Sequence, residues 1–520
     1  MTLMINMIPA WPQLAERTQE DGTVNLVRLL SQSSHPTRLV VTDYTPMLRY
    51  FLAANHLLET PWVSVFDELQ QVHQAVGLPL SVEDIELPDG VDLIYGPDTA
   101  YLYRQEQLVG TFEMAKPGFV KAIHWGGDDG QRVDTYDDRG FLSSTIELNN
   151  DNQRTKQTWW TQDGETALIF DGTQYHWLNA PAEVDQDFDT LEALQLQVIT
   201  AIVAPDDHFI VRLVEDNHEL SRLVSQNWTT TLQIATQNDL PAASDADLVE
   251  ASRAVVLPTG QMLRRLQRRL PESDSTHWNV IAPYATTLSL GFSNEADYLT
   301  VYWHLNDLNK ERTEAVYLKL LAAMARHIDY ALTINVHNDE EVPPMLKTAL
   351  YSITQYYGIS GDSPEFAMIQ HALFDERADT SMANIDESIL NDTGDTEKAD
   401  NFTAIKAFME RLKFRVHSDF SEIRSDFSDA RVLMDLGSQP NLFMQIQAIS
   451  VGIPQVNEVD TGYVQSGKNG DVIVSDAAAV TAVRTYLDQL PRWSQSLVVN
   501  TRLIDQHAEN QLLVQWEEAL

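Results

Sequence analysis

The most constraining feature of the sequence is a change of residue pattern inside a chain that otherwise alternates between strand-like and helix-like stretches. Between residues 106 and 177, aromatic and β-branched residues are interrupted by pairs of turn-forming residues about eleven positions apart. These pairs are Asp129-Gly130, Arg139-Gly140, Asp151-Asn152 and Asp163-Gly164. Because such residues tolerate positive φ, each pair allows two flanking strands to fold back as a hairpin. The stretch therefore predicts an antiparallel meander.

On both sides of the meander, short apolar runs alternate with helix-like stretches. Ile5 to Ile8, Arg38 to Val41 and Leu93 to Tyr95 resemble strands before it, and His208 to Val211 resembles a strand after it, preceded by a helix at Leu191 to Val203. This alternation is typical of βαβ units that build a parallel sheet. We therefore predict a β-sheet inserted into an α/β domain.

A second α/β unit is predicted to begin near Trp278. Its expected strands are Val280-Ile281, Leu288 to Gly291, Tyr298 to His304 and Ala331 to Val336, with a helix at Thr313 to His327. The resulting domain prediction has five parts: residues 1–104 and 188–276 for the N-terminal Rossmann-like domain, 105–187 for the inserted antiparallel sheet, 277–497 for the C-terminal Rossmann-like domain, and 498–520 for a helix that packs back on the body.

The charge of the chain excludes one class of partner. Lys plus Arg total 35 against 76 Asp plus Glu, a formal net charge of −41, which predicts an anionic surface nearly everywhere. Phosphate backbones would be repelled, so nucleic-acid binding through a basic face is not expected. A solubility adaptation of the host explains this charge more readily than an acidic recognition surface does.

Other classes are excluded by missing signals. The chain has no cysteine, which excludes a disulfide scaffold, a Cys-ligated zinc site and a cysteine nucleophile. Its 14 histidines show no metal-binding spacing, and no cofactor motif is evident. No signal peptide and no transmembrane run occur, so we expect a cytoplasmic protein, with peripheral attachment to a membrane through a partner left open.

The most informative stretch runs from residue 431 to residue 457. Val432 to Leu436 forms a buried-strand pattern, a turn follows, and Asn441 can cap a helix that ends at Gly452. Ile453 to Val456 then begins another strand. Open α/β folds hold ligands at the carboxyl edge of the sheet, where this loop would lie.

This stretch resembles the donor-site segment of two-domain (GT-B) retaining glycosyltransferases. Those enzymes carry a glutamate, seven residues, a second glutamate, small residues and a Gly-x-Pro. Gly452-Ile453-Pro454 match, but glutamines stand at both carboxylate positions, Gln439 and Gln447. An amide carries no charge and cannot shuttle a proton at neutral pH. The resemblance implies a pocket that holds a sugar without transforming it. Its candidate sugar-binding residues are Gly437, Ser438, Gln439, Asn441 and Gln447.

The chain also lacks basic residues where such enzymes bind the diphosphate, which likewise argues against catalysis. Such enzymes use cationic groups on the departing diphosphate. After the expected strand Leu288 to Gly291, where they usually supply an Arg and a Lys, the chain has Phe292 to Asp297 with two acids, and Lys310 and Arg312 come later. We therefore expect no catalysis, although Gln439 and Gln447 could equally be surface and helix residues without a ligand.

The whole chain resembles the family of the first accessory secretory proteins of the accessory Sec system. The motifs that carry the resemblance are Ile8 to Trp11 with Asp21 to Asn25, Tyr44 to Arg49, Ser64 to Gln70, Tyr136 to Ser144, and Met434 to Gly437 through Gly452 to Asn457. The resemblance implies a GT-B-like α/β fold of two Rossmann-like domains facing a cleft, with an antiparallel β-sheet extension inserted in the N-terminal domain and no catalytic activity.

The same resemblance implies a function in export. The expected cargo is glycosylated serine-rich-repeat adhesins, which the protein could contact through N-acetylglucosamine. The expected partners are the second and third accessory secretory proteins and the accessory SecA motor ATPase. Two alternatives stay open: an active or stabilising glycosyltransferase subunit that uses a nucleotide sugar, and a structural adaptor with a dead cleft.

Four smaller features complete the prediction. Asp137-Asp138 is predicted to form a turn rather than an acid/base pair, and His304 to be a core or rim histidine. Of Trp159 and Trp160, at least one should pack in a core because strand neighbours point to opposite faces. The acidic segment 385–400 is predicted to be a solvated loop, with a docking arm as the alternative.

Overall fold

The computed structural model describes residues 4–11, 21–73, 76–97, 99–115, 117–126, 131–236, 239–271, 278–291, 293–305, 308–374, 396–416 and 420–520. The chain divides into two compact units, one of residues 1–258, 262–281 and 515–520, and one of residues 259–261 and 282–514. The turn Asp129-Gly130, Phe292 and residues 385–395 of the acidic segment lie outside the described residues.

The first unit begins with a parallel βα pattern, as predicted. Its elements are β1 (Ile5–Ile8), α1 (Gly22–Leu30), β2 (Thr37–Val41), α2 (Leu48–Ala54), β3 (Trp62–Ser64) and α3 (Val65–Leu69). Helix α1 starts where it does because the Asp21 carboxylate accepts the Thr23 and Val24 backbone N–H groups, which would otherwise lack partners. The same carboxylate pairs with Arg212.

The predicted meander is confirmed as a ten-stranded antiparallel sheet in sequential order. Its strands are β4 (Asp92–Tyr95), β5 (Ala100–Arg104), β6 (Gln107–Met114), β7 (Val120–Trp125), β8 (Gln131–Tyr136), β9 (Leu142–Leu148), β10 (Arg154–Trp160), β11 (Thr166–Phe170), β12 (Tyr175–Trp177) and β13 (Asp187–Phe188). Gly140, Asn152 and Gly164 take φ of +90°, +58° and +81° in the connecting turns. The sheet starts earlier than predicted, because Leu93 to Tyr95 pairs antiparallel with β5 and does not extend the parallel sheet.

The rest of the first unit completes the parallel sheet. It comprises α4 (Leu191–Ile202), β14 (His208–Arg212), α5 (His218–Asn227), β15 (Leu232–Ile234), α6 (Ala246–Ala251), β16 (Ala254–Leu257), α7 (Gly260–Arg269) and β17 (Trp278–Val280). The strand order is β17-β16-β15-β14-β1-β2-β3. Strand β17 pairs with β16, so the prediction that Val280 opens the second α/β unit is wrong.

The second unit is built on its own six-stranded parallel sheet, in the order β20-β19-β18-β21-β22-β23. Its elements are β18 (Leu299–His304), α8 (Lys310–Arg326), β19 (Tyr330–Val336), α9 (Val342–Tyr356), α10 (Pro364–Phe374), α11 (Thr396–Glu410), β20 (Leu412–Val416), α12 (Phe420–Asp429), β21 (Ala430–Asp435), α13 (Leu442–Val451), β22 (Gln455–Asn457), β23 (Gly470–Val472), α14 (Asp476–Asp488) and α15 (Leu490–Gln506). The last helix, α16 (Glu509–Ala519), begins in this unit, and its final residues belong to the first unit.

Leu288 to Gly291 is not a strand, which corrects a second prediction. The backbone N–H groups of Ser289 and Gly291 donate to the carbonyl oxygens of Ser450 and Val451. These carbonyls lie in the last turn of α13, where helical carbonyls lack intrahelical partners. The apolar residues at 288 and 290 therefore mark a segment that completes a helix end, and the first strand of this sheet is β18.

The antiparallel sheet is fixed to the rest of the first unit by a buried ion network. Arg139, in the turn after β8, donates to both Asp67 oxygens at 2.7 and 2.8 Å and to both Asp137 oxygens at 2.6 and 2.8 Å. Only 6% of the Arg139 side chain and 3% of the Asp137 side chain are exposed. Burial lowers the pKa of Arg139, but the hydrogen bonds that it donates to Asp137 and Asp67 outweigh this effect and raise the pKa. Asp67 belongs to α3, so the network links the antiparallel sheet to this helix.

Three of the motifs in the sequence resemblance meet at this junction. Gln70 donates from Nε2 to the Ser143 and Trp160 carbonyl oxygens at 3.0 and 2.7 Å. The Tyr44 hydroxyl donates to Ser143 Oγ at 2.8 Å. Trp159 is 2% exposed and packs in the same core as Tyr44, which confirms that one of the two tryptophans is internal.

Asp137-Asp138 forms the predicted turn, and both carboxylates are buried within it. The Asp138 carboxylate accepts the Tyr50 backbone N–H at 2.8 Å and lies 3.8 Å from Arg49 Nε. Burial and the neighbouring Asp137 charge raise the pKa of Asp138 to about 6.

We predict that Arg139→Met strongly destabilises the first unit. The variant leaves Asp67 and Asp137 buried without their cation, a loss of about 3–5 kcal/mol in the free energy of unfolding. Lys156→Met is the matched control because the Lys156–Glu147 pair of the same sheet is exposed and should contribute less than about 1 kcal/mol. Urea unfolding of both variants tests this, and equal losses would contradict the assigned role.

The raised pKa of Asp138 predicts that the stability of the protein depends on pH. Because the pKa of Asp138 is raised in the folded state, its protonation stabilises the folded protein. This stabilisation is fully present below the unfolded pKa of 3.8 and is lost as pH rises through about 6. Between about pH 5 and pH 8 the wild type should therefore lose about 1 kcal/mol relative to Asp138→Asn. The exposed turn variant Asp163→Asn should follow the wild type. A constant difference between wild type and Asp138→Asn across this range would refute the assignment.

Candidate functional site

The strand order of the second unit locates its ligand-binding edge. From the centre of the sheet, strands β18, β19 and β20 follow one another toward one side, and strands β21, β22 and β23 follow one another toward the other side. The switch point is between β18 and β21, where ligands of open α/β sheets bind beyond the carboxyl ends. Register pairs His304 with Asp435 and Asp435 with Asn457. Three polar residues therefore end adjacent strands at this edge.

Asp435 organises the loop that follows β21. It is 1% exposed, and its Oδ2 accepts the Asn441 backbone N–H and the Gln445 side-chain amide, both at 2.9 Å. The Asn441 side chain in turn accepts the Met444 backbone N–H at 3.0 Å, which caps α13. The carboxylate thus lies at the N-terminus of α13, where the helix dipole stabilises negative charge.

A neutral polar network continues from Asp435 into the unit. Thr461 donates to Gln445 Oε1 at 2.6 Å, Gln455 Nε2 donates to the Gln445 carbonyl at 2.8 Å, and Asn457 Nδ2 donates to Gln455 Oε1 at 3.2 Å. All four residues are buried. Apart from Asp435, the network consists of amides and a hydroxyl, which hold hydrogen-bond geometry without supplying charge.

The five predicted site residues differ in how far they are buried. Gly437 is buried, Ser438 and Gln439 are exposed, and Asn441 and Gln447 are half-buried. Asn441 Nδ2 lies 3.3 Å from His304 Nε2, so the structure brings Asn441, His304 and Asp435 together. Within the described part of the chain, Gln447 joins none of the hydrogen bonds of this network.

Sequence reasoning missed two members of this edge. The sequence pattern includes Asp435 only as part of an apolar strand. A carboxylate six residues before the helix cap Asn441 is nevertheless a signal of a group that can hold the intervening loop. His304 was predicted to be a core or rim histidine, and it is half-buried at the rim. The short strand β18 places it beside Asp435, a pairing that only the sheet register reveals.

The basic residues near this edge differ from the expectation. Because β18 is the first strand of the sheet, the element after it is α8, which carries Lys310 and Arg312. Arg312 donates to Asp476 Oδ1 at 2.7 Å and to Glu458 Oε2 at 2.5 Å. The hydrogen bond that Arg312 donates to Asp476, and then the one to Glu458, raise the pKa of Arg312. Its charge is therefore balanced by two carboxylates of the protein itself.

Across the described ranges, no group of three or more His, Asp or Glu side chains is arranged to hold a metal ion. In these same ranges, no helix has the length and apolarity needed to cross a bilayer.

The family of accessory secretory protein 1 of the accessory Sec system matches residues 4–520. The chain belongs to this family. A relative, accessory secretory protein 1 of the accessory Sec system of Streptococcus gordonii, is 27% identical over 535 aligned positions, which cover 99% of this chain and 95% of the relative. The family predicted from the sequence motifs is thus confirmed.

Solved structures confirm the fold class. The chain resembles a chain of the crystal structure of accessory secretory proteins 1, 2 and 3 of Streptococcus pneumoniae, with a TM-score of 0.71, 23% identity and coverage of 99% and 98% of the two chains. It also resembles the pneumococcal O-GlcNAc transferase GtfA, solved with UDP and GlcNAc, at a TM-score of 0.67 and 12% identity over 99% and 98% of the chains. This member of the accessory Sec family therefore has a GT-B-like fold.

We predict that Asp435→Ala destabilises the second unit by about 2–3 kcal/mol, because it leaves the Asn441 N–H and the Gln445 amide without their buried acceptor. Asp429→Ala, at the exposed end of α12, is the matched control and should change stability by less than about 0.5 kcal/mol. Chemical unfolding measures both. Indistinguishable midpoints would show that the carboxylate does not hold the loop.

Proposed function

We propose that this protein is a non-catalytic subunit of the accessory Sec system that assists the export of glycosylated serine-rich-repeat adhesins. The observation that carries the proposal is the family match over residues 4–520, combined with amides at both positions where a retaining transferase would carry acids. The fold supplies the shape of a sugar-binding edge, and Gln439 and Gln447 leave that edge without a proton shuttle.

The groups at the edge support this interpretation individually. Asp435 is buried and accepts two N–H donors, so its carboxylate is used in holding the loop. His304 Nε2 lies 3.3 Å from the Asn441 side-chain amide nitrogen, so this ring nitrogen contacts the cap of α13. Both groups are thus engaged with the loop and its cap, which supports a non-catalytic edge.

A nucleotide sugar would also need a cation for its diphosphate. Helix α8 brings Lys310 and Arg312 near this edge, and Glu458 and Asp476 already neutralise Arg312. A diphosphate brought to Arg312 would face these two carboxylates as well. This arrangement favours a neutral sugar over a nucleotide sugar as the ligand.

We propose that Gly437, Ser438, Gln439, Asn441 and Gln447 form the sugar-binding surface. Ser438 and Gln439 are exposed, and hydroxyl and amide groups can donate to and accept from sugar hydroxyls. N-acetylglucosamine on an exported adhesin is the proposed ligand. The acidic segment 385–400 is proposed to remain a solvated loop outside this surface.

The proposed partners are the second and third accessory secretory proteins, with the accessory SecA motor ATPase as the engine of export. A related chain is part of the crystal structure of accessory secretory proteins 1, 2 and 3 of Streptococcus pneumoniae, and the present chain covers nearly its whole length. We place the complex on the cytoplasmic side, held at the membrane through its partners. We also propose the predicted domain division, with residues 105–187 inserted in residues 1–276.

The proposal predicts two results in one set of assays. The purified chain, incubated with UDP-N-acetylglucosamine and a serine-rich acceptor, should give neither transfer nor hydrolysis. It should co-purify with the second and third accessory secretory proteins and bind N-acetylglucosamine-bearing acceptor. Ser438→Ala with Gln439→Ala should weaken glycan binding about tenfold, the cost of losing one to two hydrogen bonds.

The control is Gln355→Ala, an exposed glutamine of α9, which should bind as the wild type does. Turnover above background that disappears in Gln447→Ala would support the transferase alternative. Complex formation without any glycan binding would support the structural adaptor instead.

A further inference from the structure

A cavity lies between helix α15 and the loop that precedes strand β23. Its volume is about 520 Å³, and small-ligand sites usually measure about 300–1,000 Å³. Gln455 and Gly470, the first residues of β22 and β23, pair with each other, so the loop enters the sheet at its amino edge. The proposed sugar-binding surface lies at the carboxyl edge of the same sheet. The cavity is therefore a separate feature of the second unit.

Hydrogen bonds fix the two walls of this cavity relative to each other. The loop residue Asn469 is buried and donates from Nδ2 to Asn500 Oδ1 of α15 at 2.9 Å. Asn500 in turn donates from Nδ2 to the Ile453 carbonyl at 2.8 Å. Arg492, also on α15, donates to the Gly467 carbonyl at 3.1 Å. Because the loop and the helix are joined at two points, the cavity is preformed, and little ordering entropy opposes the binding of a ligand.

The charged lining of the cavity is cationic, an exception to the anionic surface expected from the composition. Lys468 and Arg502 line it, and among the residues that the structure describes no acid does, although the chain has 76 acids. Lys468 Nζ donates to Gln465 Oε1 at 3.4 Å, and this neutral partner leaves the charge of the lysine uncompensated. Arg502 lies outside the last turn of α15 and forms no ion pair within the described part of the chain. The lining therefore favours a ligand that carries negative charge.

The uncharged lining favours a peptide over a sugar acid or a nucleotide. Gln495 and Gln506 present side-chain amides, which can pair with both the N–H and the C=O of a peptide bond. Val498 and Leu503 add aliphatic surface, which an apolar side chain matches better than the hydroxyl groups of a sugar acid do. Nucleobases commonly stack on aromatic rings, and among the described residues no aromatic side chain lines this cavity.

We propose that the cavity between α15 and residues 465–468 binds a short extended segment of a partner protein that carries a carboxylate two residues from an aliphatic side chain. Such side chains point to the same face, about 6–7 Å apart. The carboxylate forms charge-assisted hydrogen bonds with Lys468 and Arg502, and the aliphatic side chain packs on Val498 and Leu503. A segment with one carboxylate brings no further negative charge toward the acidic surface. The proposal does not depend on sugar binding or on the export role.

The test is fluorescence anisotropy of a labelled, C-terminally amidated hexapeptide, Ser-Ser-Glu-Ser-Leu-Ser, titrated with the full chain at low ionic strength. The wild type should bind it, and should bind the same peptide with glutamine in place of glutamate about fivefold or more weakly. Lys468→Gln with Arg502→Gln should weaken binding of the glutamate peptide about tenfold, the loss of one or two charge-assisted hydrogen bonds. Lys319→Gln with Lys347→Gln removes the same charge from exposed positions of α8 and α9 and should change binding less than about twofold.

A second variant separates the cavity from its charge. Val498 is 57% exposed, so Val498→Trp fills the cavity from its surface without disturbing the core, and it leaves both cations in place. This variant should bind the glutamate peptide as weakly as the double glutamine variant does. Val474→Trp is the matched control because Val474 is 97% exposed, and it should bind as the wild type does. An unchanged thermal midpoint shows that each variant remains folded.

Three results would overturn the proposal. The first is equal binding of the glutamate and glutamine peptides, or equal binding of the glutamate peptide by the wild type and by Lys468→Gln with Arg502→Gln. The second is the absence of peptide binding at millimolar concentration. The third is tighter binding of glucuronate or of inorganic pyrophosphate than of the peptide, which would assign the cavity to a sugar acid or to a phosphate.

Discussion

The candidate site depends on one constraint, the register of three parallel strands. Strands β18, β21 and β22 are aligned so that His304, Asp435 and Asn457 end at the same level. A parallel sheet brings all its carboxyl ends to one edge, and the crossovers diverge between β18 and β21. The buried Asp435 carboxylate then fixes the following loop and the start of α13. A shift of this register by one residue would turn these side chains to the opposite face.

The sequence predicted those features that local chemistry determines. Turn residues spaced about eleven apart predicted the meander, and Asn441 and Gly452 predicted the limits of α13, which they cap with a side-chain acceptor and a φ of +84°. These signals are local because capping and positive φ depend on single residues. The motifs at Tyr44, Ser64 to Gln70 and Tyr136 to Ser144 predicted the family, although not that they contact one another.

The predictions failed where long-range contacts decide. Leu288 to Gly291 has a strand-like apolar pattern but completes the end of α13, and Val280 belongs to a strand of the first sheet. Leu93 to Tyr95 is a strand, but its partner determines that it lies in the antiparallel sheet. Arg312 appeared distant from the site because its partners Glu458 and Asp476 are about 150 residues away in the chain.

Two arginines have distinct structural roles in this acidic chain. Arg139 and Arg312 are each held by two carboxylates, one joining the antiparallel sheet to α3 and the other balancing charge beside the candidate site. Calorimetric titration with UDP-N-acetylglucosamine and with free N-acetylglucosamine tests the central claim, that this GT-B-like fold keeps the shape of a donor site without its charges. The account predicts no binding that depends on the nucleotide, and tight binding of the nucleotide sugar that greatly exceeds binding of the free sugar would contradict it.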